Sequence, residues 1–428
     1  MPNISSSGES SLHETPYDAV VVGAGPAGVA VGAALDAVDV EFVVVDRAEI
    51  GASLRSWPAE TRLLTPSFAS NSFGQVDLNA VAPRTSPAFS LGREHPTGDR
   101  YADYLEGVVD LYDIPVETGT EVTGIARVDD DTAAGTSAPT SDDGVAVDGG
   151  TSTADSGGAT DAPFELRTSA GPIVADNVVW AGGEFGTPRR HAFSGAEHGV
   201  HYADVSSWAD FAAEHGLADE PDSEEAGHGA IIVGGFESGV DAAVGLVNAG
   251  ASVTLIDSGD PWNYTHPDPS EALSPFTRER LDEALETDRL DLRSETEVIS
   301  AARDGETYTV STLDGEELQS AAPPVLATGF EPNLGPVADR FEDGDRGFPA
   351  LTDRDESTTT HGLFLAGPAV THEGIRFCFI YKFRQRAPVI AAEIAERCGG
   401  DPDELDAWRE EDMYLEDLSC CEPDVCDC

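Results

Sequence analysis

The chain has 428 residues, of which 80 are acidic and 24 basic, giving a formal net charge of −56. That length suits two or three domains, and that field excludes nucleic acid and anionic membranes as partners. Lysine occurs once, at Lys382; an acid-coated, lysine-poor surface stays hydrated and soluble at high salt, where screening removes self-repulsion, and points to a halophilic archaeal source.

The opening MPNISSSGESSLHETP has neither the basic flank nor the apolar core of a signal peptide. No apolar run reaches membrane-spanning length. A cytoplasmic protein with a disordered tail over residues 1–16 is the expectation.

The stretch Asp18–Asp46 reads as strand, tight turn, helix and strand. An apolar run, Ala19 to Val22, stops at Gly23-Ala24-Gly25-Pro26-Ala27-Gly28, and a second run, Phe42 to Val45, ends on Asp46. Gly23 permits the tight turn, Gly25 lets the backbone approach a pyrophosphate, and Gly28 lets helix and strand pack closely. The helix start offers free N–H groups to phosphates. Asp46 is placed to accept hydrogen bonds from a ribose.

Residues 51–68, containing Trp57-Pro58 and Leu63-Leu-Thr-Pro-Ser67, have no helical or alternating period. Their Leu, Trp and Phe content suggests loops wrapped over a ligand. An amphipathic helix is predicted from about Asp99 to Tyr112, and short strands around Val116 and Glu121–Val128. Residues 129–162 are acidic, low in complexity and without an aromatic residue. Such a segment cannot bury enough apolar surface to offset ordering, and a disordered insertion within a hairpin is expected. Strand pattern returns at Phe164–Thr168 and at Val178-Val179-Trp180, which runs into Ala181-Gly182-Gly183.

The stretch Ala230–Asp257 repeats the first unit. A shift of 211 positions carries Gly23 to Gly234, Gly28 to Gly239 and Asp46 to Asp257 without a gap. Shared strand, turn, helix and acid at one spacing imply a second dinucleotide site. Phe236 stands where the first copy has Gly25, so the second site is expected to bind more loosely or in a shifted pose. Asp257 favours a ribose 2′-OH over a 2′-phosphate, and Ser258-Gly259-Asp260 offer no arginine to change that. NADH is therefore expected ahead of NADPH. A helix near Thr277–Glu286 and strands near Leu290–Leu292 and Thr307–Thr312 follow. After Leu363–Pro368 comes a helix predicted from about Gly374 to Cys398.

From about Tyr17 to Gly400 the sequence resembles the flavoproteins with two dinucleotide-binding domains. These include flavin-containing monooxygenases, thioredoxin reductases and bacillithiol-disulfide-reductase-like proteins. The segments Ala181-Gly-Gly183 and Ala327-Thr-Gly329 resemble their interdomain crossings, and Gly234-Gly-Phe-Glu-Ser-Gly-Val-Asp-Ala-Ala243 resembles the second motif of the monooxygenase-like members. Trp57-Pro58, Phe185-Gly-Thr-Pro188 and Phe193-Ser-Gly195 point the same way.

The resemblance implies an α/β fold of two Rossmann-like, three-layer domains, the second inserted into the first, with a β-hairpin or sheet region linking them. The parts would be residues 17–190 with 322–400, residues 191–321, and an acidic, Cys-rich tail over 401–428. FAD would lie on Gly23, Gly25, Pro26, Ala27, Gly28, Asp46, Arg47 and Trp57, and Thr328, Gly329, Gly367 and Arg376 would complete the cofactor-binding set. The nicotinamide coenzyme would lie on Gly234, Gly235, Glu237, Ser238, Gly239 and Asp257.

Two departures stand out. The family closes its flavin site with Gly-Asp, where this chain has Gly367-Pro368, and proline cannot supply that carboxylate. Neither nucleotide unit contains a redox Cys pair, and Ala27 replaces the cysteine of the bacillithiol-type members, which excludes a dithiol relay at those positions.

Cys420, Cys421, Cys426 and Cys428 cluster at the C-terminus. Their thiolates suit a metal, a mobile dithiol arm visiting the flavin, or neither role. Cys378 and Cys398 are expected to pack in the interior. Arg376, Lys382, Arg384 and Arg386 form a basic cluster that either binds anionic ligands or pairs with neighbouring acids.

The expected activity is an FAD-dependent NAD(P)H oxidoreductase passing hydride from nicotinamide to flavin and on to oxygen or a small substrate, as in the monooxygenases. Its partners would be a small-molecule substrate or electron acceptor, and a homodimer is compatible with the resemblance. The rival readings are a disulfide or low-molecular-weight-thiol reductase using the C-terminal cysteines, and a non-catalytic redox sensor.

Overall fold

A computed structural model describes residues 16–68, 76–128, 162–217, 229–266 and 268–421, without the side chains of Asp345, Cys420 and Cys421. The N-terminal stretch and, apart from Ala162, the acidic insertion lie outside the described residues, as do Cys426 and Cys428.

The fold is α/β, with two Rossmann-like units. In the first, parallel strands Val116–Glu117, Phe42–Val45, Tyr17–Val22, Gly171–Trp180 and Leu363–Leu365 lie side by side in that order. These strands are sandwiched, which is why the central ones read as unbroken Val runs with no polar alternation. The strand Gly171–Trp180 is shared: its first half pairs antiparallel with Phe164–Thr168, which in turn pairs with Val122–Arg127. The helix Pro26–Ala37 starts on a proline, whose missing N–H costs nothing there, and buries Ala27 to Leu35 continuously. Its small side chains let it pack closely against both the sheet and the helix Ala387–Cys398.

The second unit repeats the arrangement. Strands Leu290–Arg293, Val253–Ile256, Ala230–Val233, Val325–Leu326 and Val200–His201 form a parallel sheet. The helix Glu237–Asn248 lies between helices Trp208–Glu214 and Pro275–Leu285. An antiparallel sheet, Val298–Asp304, Thr307–Thr312 and Glu317–Ser320, adjoins it. The second unit is inserted into the first: the chain leaves after Trp180 and returns to pair Leu363–Leu365 with that same strand. Outgoing and returning segments are zipped together, Glu331 N donating to Thr187 O and Arg189 N to Gly329 O. Among the described residues no helix is long and apolar enough to cross a membrane.

Two elements differ from the sequence reading. The expected helix from Gly374 begins instead at Ile380, after a hairpin of Thr371–His372 and Ile375–Arg376. Glu373 and Gly374 both take positive φ, the signature of a two-residue hairpin turn that a helix cannot contain. The first part of the expected tail is folded: Leu405, Trp408 and Met413 are fully buried in the first unit's core.

The hairpin is tied down by a buried carboxylate. Asp355 accepts from Arg386 Nε at 2.9 Å and Nη2 at 3.1 Å, and also from His372. All three residues are buried. Removing the carboxylate leaves the guanidinium charge stranded, so Asp355→Ala is expected to destabilise the fold by about 3–5 kcal/mol. Urea unfolding in molar KCl measures this, and a loss under about 1 kcal/mol would contradict the assignment.

Candidate functional site

The two glycine turns are built alike in atomic detail. Gly23 and Gly234 take φ of +112° and +103°, and a Cβ on either would overlap the carbonyl of the adjacent crossing segment, at Ala181 and Ala327 respectively. A Cβ on Gly28 or Gly239 would overlap the carbonyl of Gly23 or Gly234. Four glycines are thus demanded by backbone packing. Gly25 is different: a Cβ there would meet nothing within 4 Å, so the space in front of it is open.

The strand-tip acids brace these turns. Asp46 accepts from the Ala24 amide at 2.7 Å and the Ala48 amide at 2.8 Å. Asp257 accepts from the Gly235 amide at 2.6 Å and the Gly259 amide at 2.8 Å. The sequence reading gave both acids to a ribose. Two acceptor positions are instead spent on the backbone, and a carboxylate's remaining lone pairs stay available for hydroxyls.

Neither turn's helix has a side-chain cap. The helices that follow Ser86, Ser207 and Ser274 are each capped by that serine's hydroxyl. The helix starts after the two glycine turns, like those of Ala52–Arg55 and Gly98–Tyr112, thus keep first-turn amides that no side chain caps, and these can receive an anionic ligand.

A cavity of about 950 Å³ joins the units, at the upper end of the range for small-molecule sites. Of the residues selected from sequence, Gly23, Gly25, Pro26, Ala27, Asp46, Arg47, Trp57, Glu237, Ser238, Gly329 and Arg376 line it. The loop residues 52–54, 56–57 and 61–65 form one wall, as their apolar content suggests. Arg47 has no side-chain partner among the described residues. Gly28, Gly234, Gly235, Gly239, Asp257, Thr328 and Gly367 are not on the cavity wall. Thr328 spends its hydroxyl on the Arg189 carbonyl at 2.6 Å. Gly367, at φ +105°, packs against Ala27 and sets Pro368 on the wall.

Glu237 turns its carboxylate toward Ser274 and Thr277, which tethers its helix to the next one. Burial pushes this carboxyl above its usual range, against the pull of those hydrogen bonds. The basic cluster divides. Lys382 pairs with Asp268 at 2.6 Å, Arg386 with Asp355, and Arg384 donates to the Asp77 and Ala80 carbonyls. Arg376 alone of the four reaches the cavity, paired with Glu184 at 3.2 Å. Burial raises the Glu184 carboxyl, and Arg376 opposes that rise.

Several wall residues stand in stretches that the sequence marks without assigning them a contact. Phe185 stacks on Phe330 at 5.0 Å between the zipped crossings. Thr61 on the first unit's loop donates to Asp241 of the second unit at 2.6 Å, and Tyr202 donates to the same oxygen at 2.9 Å. Asp241 also pairs with Arg280 at 2.8 Å. An acid inside an apolar helical run was the one available signal.

Cys378, expected in the interior, lines the cavity and donates to Ser270 Oγ at 3.1 Å. The C-terminal cysteine side chains lie outside the described residues, and no group of three metal-ligating side chains occurs among the described ones.

A model of the pyridine nucleotide-disulphide oxidoreductase family matches residues 20–141 and 158–367. Among solved structures, the bacillithiol disulfide reductase of Staphylococcus aureus is similar at a TM-score of 0.63 and 16% identity, over 90% of this chain and 99% of that one. The flavin-containing monooxygenase of Stenotrophomonas maltophilia gives 0.63 and 18% over the same shares. The T. acidophilum thioredoxin reductase gives 0.57 and 17%, again over 90% and 99%. At these identities the likeness shows a shared fold.

Burial raises the Cys378 thiol above its ordinary value and pushes Cys398 up to about 11. A raised thiol pKa means less thiolate at a given pH. Both residues should alkylate with iodoacetamide more slowly than a free thiol at pH 8, with rates still climbing above pH 9. Peptide mass mapping of a timed labelling series reads this directly, and fast labelling of Cys378 would refute it.

Proposed function

From a chain that belongs to the pyridine nucleotide-disulphide oxidoreductase family, we propose an FAD-dependent NAD(P)H oxidoreductase with flavin at the first turn and nicotinamide coenzyme at the second. The observation carrying this is the single cavity that runs from the open, uncapped turn at Gly25 to Phe236–Ser238 of the second unit. A flavin bound there would supply the two-electron chemistry, accepting hydride from the coenzyme. The chain's own part is to hold and exclude. Amides at the first helix start and the Arg47 side chain, which has no partner among the described residues, would hold the diphosphate, and the free lone pairs of Asp46 would accept from a ribose. Trp57, Phe185 and Phe330 keep water from the middle of the cavity.

The residues present fit the flavin, with one substitution of means. Pro368 offers no carboxylate, so the ribityl chain must be met by other groups on the wall, such as Asn333 or the Gly182–Glu184 backbone. Gly25→Ala would put a methyl group into the open space before the turn, where it meets no protein atom within 4 Å. Such a variant is expected to fold normally and to purify without the yellow colour of the parent. A fully yellow variant would place the flavin elsewhere.

At the second strand tip, cations are already committed. Arg278 donates to the Trp262 and Tyr264 carbonyls, and Arg293 pairs with Asp291 and Glu316. Among the described residues these two arginines have partners within the protein, and with the Asp257 carboxylate at the tip this supports NADH over NADPH. Steady-state kinetics in molar KCl, the condition the acidic coat suits, should give the lower KM for NADH. A lower KM for NADPH would overturn the preference.

The electron acceptor is proposed as oxygen or a small substrate, in monooxygenase fashion. One observation favours the reductase alternative: the Cys378 thiol on the cavity wall, near Arg376 and Lys382. If it takes part in disulfide reduction, Cys378→Ser abolishes that activity and leaves reduction of the flavin by NADH intact.

A further inference from the structure

The cavity ends at Phe236–Ser238, leaving the second strand tip outside it. Over that tip lies the indole of Trp262. Trp262 Nε1 donates to the Gly235 carbonyl at 3.0 Å. A Cβ added to Gly235 would stand 2.6 Å from the ring and 2.9 Å from the Asp257 Cβ. The indole and the strand-tip carboxylate therefore flank the same piece of backbone.

The ring is held in place. Its own N–H bond fixes its orientation, and Arg278 pins the loop by donating to the Trp262 carbonyl at 2.9 Å and to the Tyr264 carbonyl. One side packs on the second unit's core, and the residue as a whole is half-buried. A movable lid would not be tied at both backbone and side chain.

We propose that Trp262 is the platform on which the adenine of the nicotinamide coenzyme stacks, which makes it a specificity-determining residue for an adenine dinucleotide. This rests on the reading of the second turn as the coenzyme site. The half-buried ring and the Asp257 side chain flank the same glycine, so an adenine joined to a ribose held by Asp257 would be within reach of the indole. An immobilised aromatic face costs little to order on binding. It also offers an attraction that needs no charge. In molar salt that matters, because attraction between exposed charges is largely screened while base–aromatic stacking is not. The loop itself carries Asp260 and no unspent cation, so stacking is the contact this surface can provide.

The test is isothermal titration calorimetry on FAD-loaded protein in molar KCl, using ADP-ribose and, separately, reduced nicotinamide mononucleotide, which lacks adenine. Trp262→Ala is expected to weaken ADP-ribose binding by roughly 5- to 150-fold, the usual effect of removing an aromatic from beneath a base. Binding of the mononucleotide should not change. Trp262→Phe, which keeps a ring face and loses the N–H bond, should retain most of the affinity, and Trp262→Leu, which fills space without a π face, should not. Wild-type affinity for ADP-ribose in Trp262→Ala, tighter binding in it, or equal loss for both probes would overturn the proposal. If the FAD-loaded parent binds neither probe, the coenzyme reading of the second turn falls as well, and that outcome is distinct from a failure at Trp262 alone.

Discussion

The two glycine turns are held by two carboxylates on two backbone amides: Asp46 on Ala24 and Asp257 on Gly235. Each bond stitches the tip of one strand to the turn after its neighbour. Each turn can then press its first glycine onto a crossing segment, at Ala181 or Ala327, with no room for a side chain. The crossings are fixed by the turns, and the turns by the acids. Charge-assisted bonds to amides are stronger than neutral ones, which suits a joint that both units depend on.

A second layer of buried polar contacts fixes one unit against the other. Thr61, Tyr202 and Asp241 meet between them, Glu60 accepts from Trp208 N and Ala209 N at a helix start in the second unit, and His95 stacks on Phe276 at 3.7 Å. The chain's one lysine serves the same purpose, its side chain only 15% exposed and its ammonium paired with Asp268. Ion pairs sheltered in this way are screened much less by salt than exposed ones. Lys382, Arg280 and Arg386 are the sheltered cations, whereas Arg100, Arg189 and Arg346 lie exposed among the surface acids.

The glycine turns were legible because their spacing is a steric demand, and a packing requirement repeated at 211 residues' distance leaves the same letters in the sequence. The flavoprotein fold follows from that repeat. What was not legible depended on long-range placement. Trp262 meets Gly235 only because the chain folds back over 27 residues, and Cys378 reaches the cavity through a hairpin set by the paired positive φ at Glu373 and Gly374. The acid-rich composition after Gly400 hid Leu405, Trp408 and Met413, three residues that suffice to anchor the segment in the core. The strand-tip acids were found but given one role, since nothing in a sequence tells a carboxylate's bond to a ligand from its bond to a backbone amide.

The central claim is that one cavity brings a flavin and a nicotinamide into reach of each other. An anaerobic titration of the protein with NADH in molar KCl, followed by the visible flavin spectrum, tests it most directly. The account predicts that bound flavin bleaches in proportion to the NADH added. A colourless protein, or a yellow one whose spectrum NADH leaves unchanged, would contradict it.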